Sequence, residues 1–152
     1  MQLKIAADKA AKEEKIRTLR GYFLGSCFAC IKNKNDIITE WTFLYYNTST
    51  GKAVDCFVND KFVTVSDETR AVNPVKEMNI DDLHIGIEKA IDIADKKFSK
   101  NTINILITLH KREHLMWTIN MISADMNAIT YDIDAGSGKI LREETTSLAR
   151  KL

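Results

Sequence analysis

The sequence predicts an α+β protein made of two α-β-β-β-β units in tandem, each with one helix packed on an antiparallel sheet. Three observations carry that prediction. The chain repeats itself at about half its 152 residues, it holds an amphipathic helical stripe ahead of a run of strands, and those strands alternate with a period of two. Trp41-Thr42 recurs as Trp117-Thr118, so an aromatic-led strand opens at the same place in each half. Downstream the match improves when the offset is shortened by a single loop position: Val54, Cys56 and Val58 then fall on Ile129, Tyr131 and Ile133, and Asn59 on Asp134.

The helices come first. Asn79-Ile80-Asp81-Asp82 supplies an Asn N-cap and two acids for the first turn, so a helix is expected to start there. Leu83, Ile87, Ala90, Ile91, Ala94 and Phe98 then wind one apolar stripe along four turns. In the first half Ile16, Leu19 and Phe23 fall on Ile91, Ala94 and Phe98 in that same shortened register, with Lys9 and Lys12 interrupting the stripe upstream. The first helix is therefore expected to be a frayed copy. Ile85 and Ile93 lie off the stripe of the second helix.

The strands follow. Ile103, Ile105, Ile107 and Leu109 alternate with Asn104, Leu106, Thr108 and His110. After Lys111-Arg112-Glu113, Leu115, Trp117, Ile119 and Met121 alternate with Met116, Thr118, Asn120 and Ile122. This is a hairpin pattern. A third strand sets Ile129, Tyr131 and Ile133 against Thr130, Asp132 and Asp134, and Ala135-Gly136-Ser137-Gly138 closes it before Lys139-Ile140-Leu141. Asp134 is placed to accept turn amides, and Gly136 or Gly138 to take positive φ. Leu106, Met116 and Ile122 oppose the Trp117 face, a row that calls for burial against the other copy, face to face or edge to edge, or against a homodimer partner. Pro74, the single proline, cannot continue a ladder, which divides the chain into segments 1–73 and 74–152.

Composition limits the functions available. Lys+Arg 22 against Asp+Glu 21 leaves no field to draw nucleic acid or an anionic membrane. No stretch approaches the ~20 apolar residues of a membrane span, and the N-terminal residues lack a signal-type apolar run, so the reading is cytoplasmic. Three cysteines agree with a reducing compartment.

The succession of helix, hairpin, Trp117-Thr118-Ile119, then Ile129, Tyr131 and Ile133 ending in Asp134-Ala135, Gly138-Lys139-Ile140-Leu141, resembles the PepSY domain family. The first half resembles a degenerate copy: Trp41, Phe43 and Tyr45 keep one strand and Val54, Cys56 and Val58 the next, whereas the glycine is missing from Val58-Asn59-Asp60-Lys61-Phe62. The resemblance implies a cystatin-like fold, segments 1–73 and 74–152 as two PepSY-like repeats, and a role in binding or restraining other proteins, notably peptidases.

Residues able to carry chemistry have structural alternatives. Cys27-Phe28-Ala29-Cys30 follows a helix and enters a strand, where positions three apart face opposite ways, so redox work and zinc binding are not expected and Cys56 stands alone. His110 and His114 flank a turn with Glu113 nearby, which falls short of a full ligand set; His84 sits apart with Asp81 and Glu88. Asp132 with Asp134, and Asp81 with Asp82, are read as exposed capping and solubilising pairs. No catalytic, cofactor-binding or metal-binding residue is therefore assigned and no cofactor is expected. The expected function is a non-enzymatic protein- or peptide-binding module, inhibitory or regulatory, with Trp41, Tyr45 and Tyr46 as surface candidates and the core as the alternative for both tryptophans. The alternative is a ligand-binding or enzymatic cone, resembling the nuclear-transport-factor-like shape, with a pocket between helix and sheet.

Overall fold

The computed structural model describes residues 1–148; the last four positions of the 74–152 segment lie outside the described residues. The order is α1 (Leu3–Lys12), α2 (Glu14–Arg17), β1 (Tyr22–Ile31), β2 (Glu40–Asn47), β3 (Lys52–Asn59), β4 (Val63–Val65), β5 (Thr69–Arg70), a 3₁₀ turn (Ile80–Asp82), α3 (Ile87–Lys97), β6 (Thr102–Lys111), β7 (Leu115–Ser123), β8 (Asn127–Asp134) and β9 (Ile140–Ser147). Among the described residues nine antiparallel strands form one sheet in the order β4-β3-β2-β1-β6-β7-β8-β9, with β5 also on β3. From the central β1–β6 pair the strands run outward in chain order on both sides. The two segments thus meet edge to edge, Ser26 opposite His110 and Ile31 opposite Ile105.

The helices lie on one face. α1 contacts β2 and β3, and α3 contacts β7. Cross-strand register aligns one apolar row beneath them: Val65, Cys56, Phe43, Cys27, Leu109, Trp117, Ile133 and Ile140. The expected alternation holds for Ile105, Ile107, Leu109, Trp117, Ile119, Met121, Tyr131 and Ile133, all 0% exposed. Ile103 departs from it at 42% exposed, because the ladder slips between Thr102 and Asn104.

Both helices differ from the sequence reading. The second does not begin at Asn79; Asn79 caps only the 3₁₀ turn, accepting from Asp81 N at 2.9 Å. The following backbone is held elsewhere: His84 N and Ile85 N both donate to Ala135 O (3.1 and 2.7 Å), and Ile85 O accepts the Trp117 indole N–H at 2.8 Å. α3 then starts at Ile87, and Ile87, Ala90, Ile91 and Ala94 form its buried stripe. In the first half Phe23 belongs to β1 rather than to a helix, and the buried helical positions are Leu3, Ala6 and Ala10. Their spacing is that of Ile87, Ala90 and Ala94 in α3. Trp41 donates its indole N–H to Met1 O at 3.1 Å, and in the same helix register Met1 corresponds to Ile85. Each tryptophan therefore holds the carbonyl two residues ahead of its helix.

The turn chemistry expected at Asp134 is present. Its Oδ1 accepts from Gly136 N (2.7 Å) and Ser137 N (3.1 Å), and Gly138 sits at φ 80°. These amides hold the Asp134 carboxyl below its ordinary pKa. Asn59 does the same, accepting from Lys61 N and Phe62 N at 2.8 and 3.0 Å. Ile85 and Ile93, off the main stripe, point toward this turn: a Cβ added at Gly138 would stand 3.3 Å from Ile93 Cδ1 and 3.6 Å from Ile85 Cδ1.

Replacing Trp117 by Phe keeps an aromatic in the core but orphans the Ile85 carbonyl. A loss of about 1–3 kcal/mol in urea unfolding is expected, and a similar loss for Trp41→Phe. Tyr131 presents the opposite case: its buried hydroxyl makes no hydrogen bond of good geometry among the described residues, and burial, with the Glu143 carboxylate on the adjacent strand, pushes its pKa up to about 12. Tyr131→Phe should therefore be neutral or stabilising by up to ~1 kcal/mol in the same assay.

Candidate functional site

A concavity of about 930 Å³ opens where the two helices begin. Residues of both segments line it: Met1 to Lys4, the β1–β2 loop from Lys34 to Ile38, and Leu83 with the first turns of α3. Its floor is apolar. Leu3, Ile87 and Ile91 are buried there, Ile38 and Leu83 are partly buried, and Ile37 stands 79% exposed at the rim. The rim alternates in charge, with Lys4, Lys34 and Lys89 against Asp36, Glu88 and Asp92.

The loop that closes this groove is pre-shaped. Asp36 Oδ2 accepts from Lys32 N and Asn33 N at 3.0 and 3.1 Å, and Asn33 Oδ1 accepts from Asn35 N at 3.1 Å. Lys34 Nζ reaches Asp95 on α3 at 2.8 Å, and the carboxylate raises the Lys34 pKa. The Met1 amine donates to Ile38 O. Neither Gln2 nor Gly86, which precede α1 and α3, caps its helix with a side chain. First-turn amides of both helices are therefore left without a side-chain acceptor at the cap.

The opposite, helix-free face carries a polar chain across four strands. His110 Nε2 lies 2.7 Å from Thr118 Oγ1; Thr118 Oγ1 donates to Asp132 Oδ1 at 2.7 Å; Arg142 donates through Nε to Asp132 Oδ2 at 2.8 Å and through Nη1 to Glu144 Oε2 at 2.8 Å. A threonine hydroxyl has one proton, and Asp132 receives it, so the imidazole donates from Nε2. Burial lowers the His110 pKa, the Arg112 charge lowers it further, and Asp132 opposes both. The exposed reading of Asp132 is thereby corrected. It is 2% exposed because Thr118 and Arg142 cover it.

The remaining candidates are dispersed. Cys27 and Cys56 are buried in the row on either side of Phe43, while Cys30 is exposed on the other face. Burial pushes the Cys56 thiol up to about 11 and raises that of Cys27. His110 pairs with Met116, not with His114, which lies in the exposed turn. No group of three or more His, Cys, Asp or Glu able to hold a metal occurs among the described residues. Trp41 and Trp117 are fully buried, with ring centroids 6.5 Å apart, Tyr46 is buried and stacks edge-on against Phe23, and Tyr45 packs half-buried against the core. The sequence did not reveal the groove, whose lining comes from three separate segments. It marked Thr118 and Asp132 as polar-face residues but not as partners.

Comparison with known proteins returns fold and little else. No family model matches the chain, and no curated protein matches it. A solved structure is similar: a "putative lipoprotein" from Clostridium difficile 630, with a TM-score of 0.65 at 11% identity, covering 96% of this chain and 93% of that one. At that identity the likeness is one of fold alone, and it agrees with an α+β architecture. No helix among the described residues is long and apolar enough to cross a membrane.

The depressed His110 pKa has a pH signature. Stability from the neutral imidazole is full above the unfolded-state value of about 6.5 and is lost as pH falls through the lower folded-state value. Wild type should thus lose stability relative to His110→Gln between about pH 7 and 5, read by urea midpoints at each pH.

Proposed function

We propose that the chain is a non-enzymatic protein- or peptide-binding module of tandem PepSY-like, cystatin-like type, and that the groove between the starts of α1 and α3 is where it holds its partner. The observation that carries this is the groove's construction: both segments contribute to one apolar trough with a rim of mixed charge, closed by an ordered loop. Such a site suits an extended or helical peptide with two or three apolar side chains and flanking charges. The tandem reading is supported by the mirrored strand order and by the paired indole bonds to Met1 and Ile85. Three free thiols fit a cytoplasmic setting.

The rival pocket between helix and sheet draws less support. Ala6, Ala10, Ala90 and Ala94 are 0% exposed, which lets the helices sit close on the sheet. The space a ligand would need there is filled by Trp41, Trp117 and Tyr131.

Peptides selected from a random library against the full chain should bind in the groove. Ile37→Glu, at an exposed position, and Leu83→Glu are expected to weaken them at least about tenfold in calorimetric titration. Phe28→Glu, on the opposite face, should leave affinity unchanged. Peptides indifferent to both groove variants, or no enrichment at all, would end this reading.

A further inference from the structure

A second cleft, of about 550 Å³, lies on the helix-free face, away from the peptide groove. It forms where the segment joining the two halves crosses β1. The ladder between β1 and β2 slips between Leu24 and Ser26, and the residue there is Gly25. Val75 rests on it so closely that an added Cβ would stand 2.2 Å from Val75 Cγ1. Lys76 then reaches across to the β6–β7 turn, donating from Nζ to Arg112 O at 3.1 Å. The strap roofs a space whose floor is Ser26, Thr108 and His110.

The charge in this space is one-sided. Lys76, Lys111 and Arg112 line it with Glu113 as the single acid, and none of the three cations forms an ion pair among the described residues. The Lys76 contact holds an ammonium beside the Arg112 backbone at the edge of the cleft. His110 adds a titratable donor. Its Nε2–H is taken up by Thr118, whose own proton goes to Asp132. A second proton on the ring must therefore go to Nδ1. The charges that act on His110 are Arg112 at the cleft and Asp132 along the sheet, and Lys76, Lys111 and Glu113 line the same cleft.

We propose that this cleft binds a doubly charged oxyanion of the phosphate-ester or sulfate class carried by a small molecule. Arg112 and Lys76 supply the charge, and the Ser26 and Thr108 hydroxyls supply neutral hydrogen bonds. His110 takes up a proton as the anion enters. The size suits a metabolite rather than a polymer. Because an anion favours the imidazolium, affinity for an anion of constant charge such as sulfate rises as pH falls.

Sodium sulfate is the probe, since it stays doubly charged over the range needed, with sodium chloride at matched ionic strength as the control. In an NMR titration of the full chain, saturable shifts are expected at Ser26, Lys76, Arg112 and the His110 ring. Binding should be several-fold tighter at about pH 5.5 than at about pH 8. Lys76→Gln with Arg112→Gln should weaken it at least about tenfold with an unchanged melting temperature. His110→Gln should leave binding at the higher pH and abolish its pH dependence. Glycerol phosphate should compete with sulfate for the same site. Shifts that match chloride, shifts that do not saturate, binding unaffected by the double variant, or failure of glycerol phosphate to compete would each overturn the proposal. None of these outcomes depends on whether peptides bind between α1 and α3.

Discussion

The structure depends on two indole N–H groups. Trp41 on β2 and Trp117 on β7 each lie one strand out from the central β1–β6 pair, 6.5 Å apart between ring centroids, and each is fully buried. A buried indole without an acceptor costs about 1–3 kcal/mol, so each must find one. Each finds the carbonyl two residues before a helix. At Ile85 that bond joins the two amide bonds to Ala135 in holding the backbone extended until α3 begins at Ile87. Together the two indole bonds bring both helix starts to one place. The groove is therefore a by-product of how the core satisfies its two largest side chains.

Much of the fold was legible because it follows from local periodicity. Trp117, Ile119, Met121, Tyr131 and Ile133 alternate, and they are buried. Asn59 and Asp134 hold matched turns, as their types suggest. Helix boundaries were not legible. Asn79, Asp81 and Asp82 make a good helix start locally, but Ala135 and Trp117 compete for the backbone that follows, and they lie far away in sequence. The first helix escapes the sequence pattern for a different reason. The register that matches the strands does not carry over to the helices, whose buried positions Leu3, Ala6 and Ala10 recur as Ile87, Ala90 and Ala94 at a longer separation, because connecting lengths differ between the halves.

Both concave sites were illegible for a related reason. Ile37, Leu83 and Ile87 have no common sequence pattern; they meet because a loop, an irregular segment and a helix converge. His110, Thr118, Asp132 and Arg142 sit at ordinary polar-face positions of four strands. Only cross-strand register shows that they touch. Period-two alternation gives the face on which a residue lies but not its neighbour on that face. The neighbour determines whether an aspartate is solvated or, like Asp132, sealed beneath an arginine.

The placement of β1 has a consequence for synthesis. The first strand of the chain is also a central one, and along one side its partner is β6, which begins at Thr102. Until that later segment leaves the ribosome, a strand rich in aromatic and aliphatic side chains presents unpaired amides and carbonyls. A nascent or truncated chain ending near Pro74 holds an adhesive border that the finished protein conceals. Two such fragments would satisfy each other's ladders in the antiparallel sense that β1 and β6 use. Completing the second half is then the step that ends a period of vulnerability to mispairing, beyond its own contribution to stability.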